Sequence, residues 1–486
     1  MLTLVNTNRM VPPIGPIGLD YVAASIERAG IEVEPLDLGL AEDPAEAICE
    51  YFSTRNPELV GLSFRNADDC FWPSADWFVP GLKDTIEAIR KVSDAPIILG
   101  GVGYSIFPKP ILEYTNAEFG ICGDGEAALP ALVQQLRGAR RFSEVPGLLW
   151  RQDDEIHSNP PSWPEPLSLG VTRNFIDNRT YFERGGQCGL ETQRGCNRDC
   201  MYCADPLAKG SRLRLRKPTE VADEVESLLA QAVDVLHICD CEFNVSRTHA
   251  IAVCEELERR HLGDKVHWYT YMTPTPFDAE LAEAMARAGC AGIDFTGDSA
   301  CESMLRTYRQ RHNPEDLATA VKLCRRNGIA VMIDLLLGGP GETPQTLRET
   351  INFIKKIDPD SAGAALGMRI YPRTAMEQFV SDQLSRGDTG SIRRKYSGPI
   401  DPLKPTFYIS AALGERPAEL VRDLIAGDKR FFEPAVETPR QADDEGDTAN
   451  YNYNENELLS NAIRKGARGA YWHILQQLRH GHRFPH

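Results

Sequence analysis

Residues 191–206 read ETQRGCNRDCMYCADP. Three cysteines, Cys196, Cys200 and Cys203, fall within eight positions at the spacing C-x3-C-x2-C, and Tyr202 directly precedes the last. Structural zinc sites close with four ligands, their cysteine pairs commonly spaced x2 to x4. No fourth partner stands near: Cys188 is eight residues upstream of Cys196, and no histidine lies between positions 158 and 236. Iron–sulfur clusters also normally take four cysteines. Three thiolates leave one metal position open, which suits a catalytic cluster that binds a substrate. The alternative, three structural thiols in a turn, fits poorly, because cysteines packed as small hydrophobes are seldom so crowded on a loop.

The flanks have their own pattern. LETQRG reads as a strand that delivers the loop, and KPTEVADEVESLL (217–229) as a helix with Val221, Val225 and Leu228 along one face. Strand-like VDVLHIC (233–239), KVHWYTYM (265–272), AGIDFTG (291–297), IAVMIDLLLGG (329–339) and AGAALGMRIYP (362–372) follow. They alternate with helical stretches at 246–260, 277–288, 299–307, 314–326 and 344–356. Such alternation predicts an α/β fold: a parallel sheet of six strands with helices outside.

The cysteine spacing with its aromatic resembles the signature of radical S-adenosylmethionine (SAM) enzymes. That resemblance implies a partial (βα)6 barrel over 186–375, and a [4Fe-4S] cluster on Cys196, Cys200 and Cys203. SAM would chelate the fourth iron through its amino and carboxylate groups. The chemistry would sit at the C-terminal strand ends. Tyr202 and several strand-end residues become SAM contacts by the same resemblance. They are Asp240 and Glu242 in CDCEFN, Asp298 and Ser299 in FTGDSA, Gly339 and Glu342 in LLLGGPGET, and Arg369 and Tyr371 in GMRIYP. CDCEFN lacks the glycines of the family's Gly-Gly-Glu segment, so only the position carries over. Glu342 and Thr343 also read simply as caps of the next helix.

Residues 1–140 repeat the α/β pattern with strands LTLVN, IEVEPLDL, LVGLSFR and PIILGG. This predicts a doubly wound, Rossmann-like sheet whose ligand lies outside the carboxyl ends of its strands. No G-x-G-x-x-G follows the first strand, which argues against a dinucleotide. The pieces PPIGPIGLDYVAASIERAGIEVEPLDL, GLSFRNADD, ILGGVGYSIFP and GICGDGEAALP resemble the cobalamin-binding domain that precedes many radical SAM barrels. By that resemblance Ser63, Arg65, Asn66, Gly100, Gly101, Gly103, Gly123 and Glu126 contact cobalamin, the glycines admitting its nucleotide tail. The D-x-H-x-x-G cobalt-ligating motif is absent, and residues 1–156 contain no histidine. A branch similar to tryptophan 2-C-methylases has an arginine near the lower corrin face, where Arg65 would fall. Alternatively Arg65 pairs with Asp68 or Asp69 at the surface, or the sheet persists without a corrin.

A hairpin and Pro-rich linker are expected over 141–185, and a mainly helical capping region over 376–486 that shapes the substrate pocket. Within it, 438–457 reads as a polar, acidic and mobile segment, and 457–484 as one terminal helix weakened by Gly466 and Gly469. His480, His482 and His486 read as a solvated terminus rather than a metal tail. The 486-residue chain carries a net charge of −17, which disfavours nucleic acid. It has no apolar run of membrane-spanning length and no leader-like start, so a cytoplasmic protein is expected. The resemblance implies a cobalamin-dependent C-methyltransferase acting on an unactivated carbon of a small metabolite or natural-product intermediate. It also implies an external electron donor such as a flavodoxin or ferredoxin. Three rivals stay open: a non-methylating cyclisation, rearrangement or ring contraction; a polar methylase; and a non-catalytic sensor.

Overall fold

The computed structural model describes residues 1–153, 155–435, 453–482 and 484. His486 and most of the acidic stretch 438–457 lie outside the described residues. Among the described residues no helix is long and apolar enough to cross a membrane.

The first sheet contains β1 (Leu2–Asn6), β2 (Val33–Asp37), β3 (Leu59–Ser63), β4 (Ile97–Gly100), β5 (Phe119–Ile121), β6 (Leu148–Gln152) and β7 (Glu155–Ser158). Its order is β2-β1-β3-β4-β5-β6-β7. The first five strands are parallel, and the expected hairpin β6–β7 adds antiparallel to the edge. Alternating residues supply both faces: Ile98 packs with Leu2 and Leu4, while Ile97 and Leu99 pack with Val60 and Leu62 on the other side. The order reverses between β1 and β3, which opens a crevice at their carboxyl ends. The loop after β3 carries Arg65 and Asn66 there.

The second sheet is wholly parallel. From one edge its strands run Cys188–Leu190, Val235–Ile238, His267–Met272, Cys290–Asp298, Ala330–Leu337 and Ser361–Leu366. Five of these match the expected strands, but the first is Cys188–Leu190 rather than LETQRG, whose Gln193–Arg194 pairs antiparallel with Arg214–Leu215 outside the barrel sheet. A seventh, Phe431–Phe432, pairs parallel with the sixth and extends the sheet beyond expectation. Helices such as Pro314–Arg326 and Pro344–Ile357 cover the outside, each started by a side-chain capping box.

The last region is less helical than expected. Ile392–Arg394 and Thr406–Tyr408 form an antiparallel sheet with Met368–Arg369. The expected terminal helix is two helices, Glu457–Arg464 and Tyr471–Arg479, split by Gly466 (φ 97°) and Gly469 (φ 140°). The second rests on the fifth and sixth barrel strands. Trp472 faces Gly292, and Tyr269 Oη hydrogen-bonds His473 Nδ1 at 2.9 Å. The helix thus seals the base of the barrel interior.

Candidate active site

The cysteine loop is held from several sides. Beyond the first barrel strand, Asp240 accepts hydrogen bonds from Thr192 N (2.8 Å), Thr192 Oγ1 (2.5 Å) and Gln193 N (3.2 Å). Gly195 turns the chain at φ 87°, and a β-carbon there would lie 2.0 Å from Arg212 O. Met201 N donates to Tyr308 O, and Met376 N donates to Met201 O. Cys196, Cys200 and Cys203 are gathered closely enough to raise one another's proton affinity. Burial pushes the Cys200 thiol up to about 12, with Asp298 adding to the effect, and raises Cys196 and Cys203 as well. The thiols stay neutral until a metal displaces their protons. Three thiols on one loop would hold a cluster by spreading over separate irons.

Above the loop, Tyr202 Oη donates to both oxygens of Asp298 (2.9 and 2.7 Å), and Gln310 Nε2 reaches Asp298 Oδ2 (2.5 Å) and Cys200 Sγ (3.4 Å). Glu242 accepts from Thr296 Oγ1 at 2.7 Å, while its buried Oε2 has no partner. Burial pushes its carboxyl up to about 8, so it is largely neutral at pH 7. Tyr202, Glu242 and Asp298 therefore lie beside the cysteine loop.

Other expected SAM contacts are engaged elsewhere. Asp240 is occupied by the strand it fastens. Ser299 is fully buried, bonds Thr350 Oγ1 at 2.8 Å and accepts from Cys301 N. A side chain on Gly339 would strike Tyr308, and Glu342 is consumed by Gly338 N, Tyr308 Oη and Thr346 Oγ1. Arg369 pairs with Asp68 of the first domain at 2.9 Å, and Tyr371 Oη donates to Cys70 Sγ. Both turn away from the cysteine loop.

The corrin-side expectations divide in the same way. Ser63, Arg65, Asn66 and Gly100 lie at the carboxyl edge beside the crevice. At Gly101 and Gly103 β-carbons would meet Phe64 O (2.5 Å) and Asn66 C (2.9 Å), so the chain's own packing requires glycine there. Gly123 abuts Trp163, and its N–H donates to Ser105 Oγ. Glu126 is committed to Arg194 at 2.8 Å, and Arg194 also binds Glu191. Arg65 bonds Asn66 Oδ1 rather than Asp68 or Asp69. Its charge reaches across to His237, Tyr271 and Tyr471 of the later domains. Burial lowers His237 to about 4, and Arg65 acts in the same direction. The His237 and Tyr271 rings lie 4.9 Å apart. Tyr271 is 42% exposed yet surrounded by protein enough to raise its phenol well above the usual range. Arg65 of the first domain and His237 and Tyr271 of the barrel are therefore neighbours where the two domains meet.

A family model described as the radical SAM superfamily matches residues 190–354, and one described as a B12 binding domain matches 5–133. Tryptophan 2-C-methyltransferase from Streptomyces laurentii is 29% identical, over 97% of this chain and 95% of that protein. The radical SAM methyltransferase TsrM from Kitasatospora setae, solved with tryptophan substrate and a SAM analogue, superposes with TM-score 0.90. It is 30% identical and covers 99% of this chain and 98% of its own. The same enzyme solved with cobalamin and a [4Fe-4S] cluster gives TM-score 0.88 at 28% identity, over 99% and 97% of the chains.

Proposed function

Because the chain belongs to the cobalamin-binding branch of the radical SAM enzymes, as a C-methyltransferase using a [4Fe-4S] cluster, SAM and cobalamin, we propose that its acceptor is a carbon of a small, indole-like substrate. The observation that carries this reading is the meeting of the first domain with the barrel at the adjacent rings of Tyr271 and His237, which Arg65 from the loop after β3 influences electrostatically. The nearly full-length likeness to enzymes named for tryptophan supports the aromatic class. Bound cobalamin would carry the methyl group, and SAM at the cluster would supply it. The chain's own work is to hold the acceptor between the two and keep water out. Cys196, Cys200 and Cys203 would hold the cluster, and Glu242, whose buried Oε2 has no partner, would receive the SAM amino group.

An indole ring carbon is already electron-rich, which favours a polar transfer; a saturated carbon requires hydrogen abstraction first. The test is anaerobic turnover of reconstituted enzyme with methyl-labelled SAM and L-tryptophan. Labelled product with S-adenosylhomocysteine but without 5′-deoxyadenosine supports the polar route. Comparable 5′-deoxyadenosine supports abstraction. No labelled product from tryptophan or simple indoles overturns the substrate class. The electron donor, a flavodoxin or ferredoxin, meets the outer side of the loop. There Asn197, Arg198 and Arg311 line an open, cationic pocket of about 330 Å3 in an otherwise acidic chain.

A further inference from the structure

The fourth barrel strand ends irregularly. Its pairing with the fifth shifts register between Thr296 and Asp298, and Asp298 takes φ 54°, a conformation that disfavours a residue with a β-carbon. The carboxyl this aims is held by Tyr202 Oη at 2.9 and 2.7 Å and by Gln310 Nε2 at 2.5 Å. The same amide nitrogen lies 3.4 Å from Cys200 Sγ. Gln310 is itself fixed by its backbone. The helix Glu302–Tyr308 ends in left-handed Arg309 (φ 63°), and Gln310 N returns to Leu305 O at 2.8 Å. On either side, Tyr308 O accepts from Met201 N at 3.2 Å, and Arg311 Nη2 donates to Asn197 O at 3.3 Å. The segment is thus fastened to the cysteine loop, with one amide set between a carboxyl group and a thiol. Chemistry dictates which end of that amide faces them. An NH2 group has two hydrogens for two acceptors, whereas a carbonyl there would oppose the Asp298 oxygen and the sulfur.

We infer that Gln310 is a positioning residue of the iron–sulfur cluster, donating an N–H to the Cys200 thiolate and thereby setting the cluster's reduction potential. This rests on the cluster assignment to Cys196, Cys200 and Cys203 and adds to it a group outside the cysteine loop. Metal binding requires Cys200 as a thiolate, which is a stronger acceptor than the thiol. Hydrogen bonds to ligating sulfur are among the levers a protein has on an iron–sulfur potential. Reduction adds one electron, supplied by the external donor, and moves no proton. The added charge spreads onto the sulfurs, so an N–H pointed at one of them bonds more strongly in the reduced state and favours it. Asp298 engages one hydrogen of the amide and so aims the other at the sulfur.

The test is anaerobic redox titration of the reconstituted holoenzyme as wild type, Gln310→Met and Gln310→Glu, at matching iron and corrin contents. Methionine keeps the bulk of the side chain and donates nothing. Glutamate, when ionised, also sets a negative charge against the sulfur. The reduction equilibrium of the cluster should weaken about tenfold in Gln310→Met, a fall of about 59 mV for a one-electron couple, and further in Gln310→Glu. The cobalt couple should be the same in all three proteins. Where a variant holds no iron, wild type decides. With 15N only in its glutamine side-chain amides, its reduced cluster should show a 15N coupling by pulsed EPR. Gln193, the other glutamine beside the loop, turns its amide to Glu242 O and Phe243 O. No coupling, or an unchanged cluster potential in iron-replete variants, overturns the inference and leaves the cysteine assignment standing. A wild type that assembles no cluster overturns both.

Discussion

Cys196, Cys200 and Cys203 were legible because thiols four and three positions apart have one economical use, whatever the surrounding fold. Replacing all three with alanine should abolish the iron–sulfur charge-transfer absorption after anaerobic reconstitution; an intact cluster in that variant would remove the assignment. Asp240, Ser299 and Glu342 were legible only as positions. A residue just past a strand end is near the mouth, but sequence does not reveal whose N–H its oxygens have already accepted. Glu342 makes the difference measurable. Burial pushes its carboxyl up to about 7, so the folded state binds the proton more tightly than the unfolded chain. Its stabilising contribution is complete below the ordinary glutamate pKa and is lost as pH rises through about 7. Glu342→Gln, which keeps an acceptor for Gly338 N, should flatten that loss. The variant's melting temperature relative to wild type should therefore rise between pH 5 and pH 8. A pH-independent difference would mean that the carboxyl is not neutral in the fold.

Among the elements, the two α/β series were readable because apolar strands and amphipathic helices alternate at a spacing few other folds share. The seventh strand was not, since Phe431–Phe432 is two residues long and has no period to detect. The split of the terminal helices had a signal in Gly466 and Gly469, which mid-helix propensity alone undervalued. The short hairpin of Gln193–Arg194 with Arg214–Leu215, which carries the cysteine loop, depends on one glycine. Gly195→Ala places a methyl group 2.0 Å from a backbone oxygen at φ 87°, and neither neighbour is a flexible side chain. The variant should lose about 2 kcal/mol or more of stability and a matching share of iron, measured by anaerobic thermal unfolding and iron assay. Wild-type stability and iron content would show that the hairpin relaxes freely.

The whole molecule is joined by buried ions. Arg173 in the linker binds Asp20 (2.6 Å) and Glu224 (2.7 Å), all three side chains fully buried. Arg194 binds Glu126, Arg214 binds Asp124, and Arg369 binds Asp68. Asp20, Asp68, Asp124 and Glu126 belong to the first domain, and their arginines belong to the linker or the barrel. Arg369→Met should cost about 3–5 kcal/mol by stranding the buried Asp68, and Asp68→Asn in the same chain should restore part of it. Denaturant unfolding of both variants checks this, and additive losses would mean that the pair is not coupled. The contacts also have a consequence for ancestry and engineering. Two modules that match separate family models look exchangeable between relatives. Here a transplanted first module must bring carboxylates at 20, 68, 124 and 126, or Arg214 and Arg369 lose their carboxylate partners while Arg173 and Arg194 keep only Glu224 and Glu191. Those positions act as a lock between lineages, and chimaeras should succeed only between parents that share its pattern.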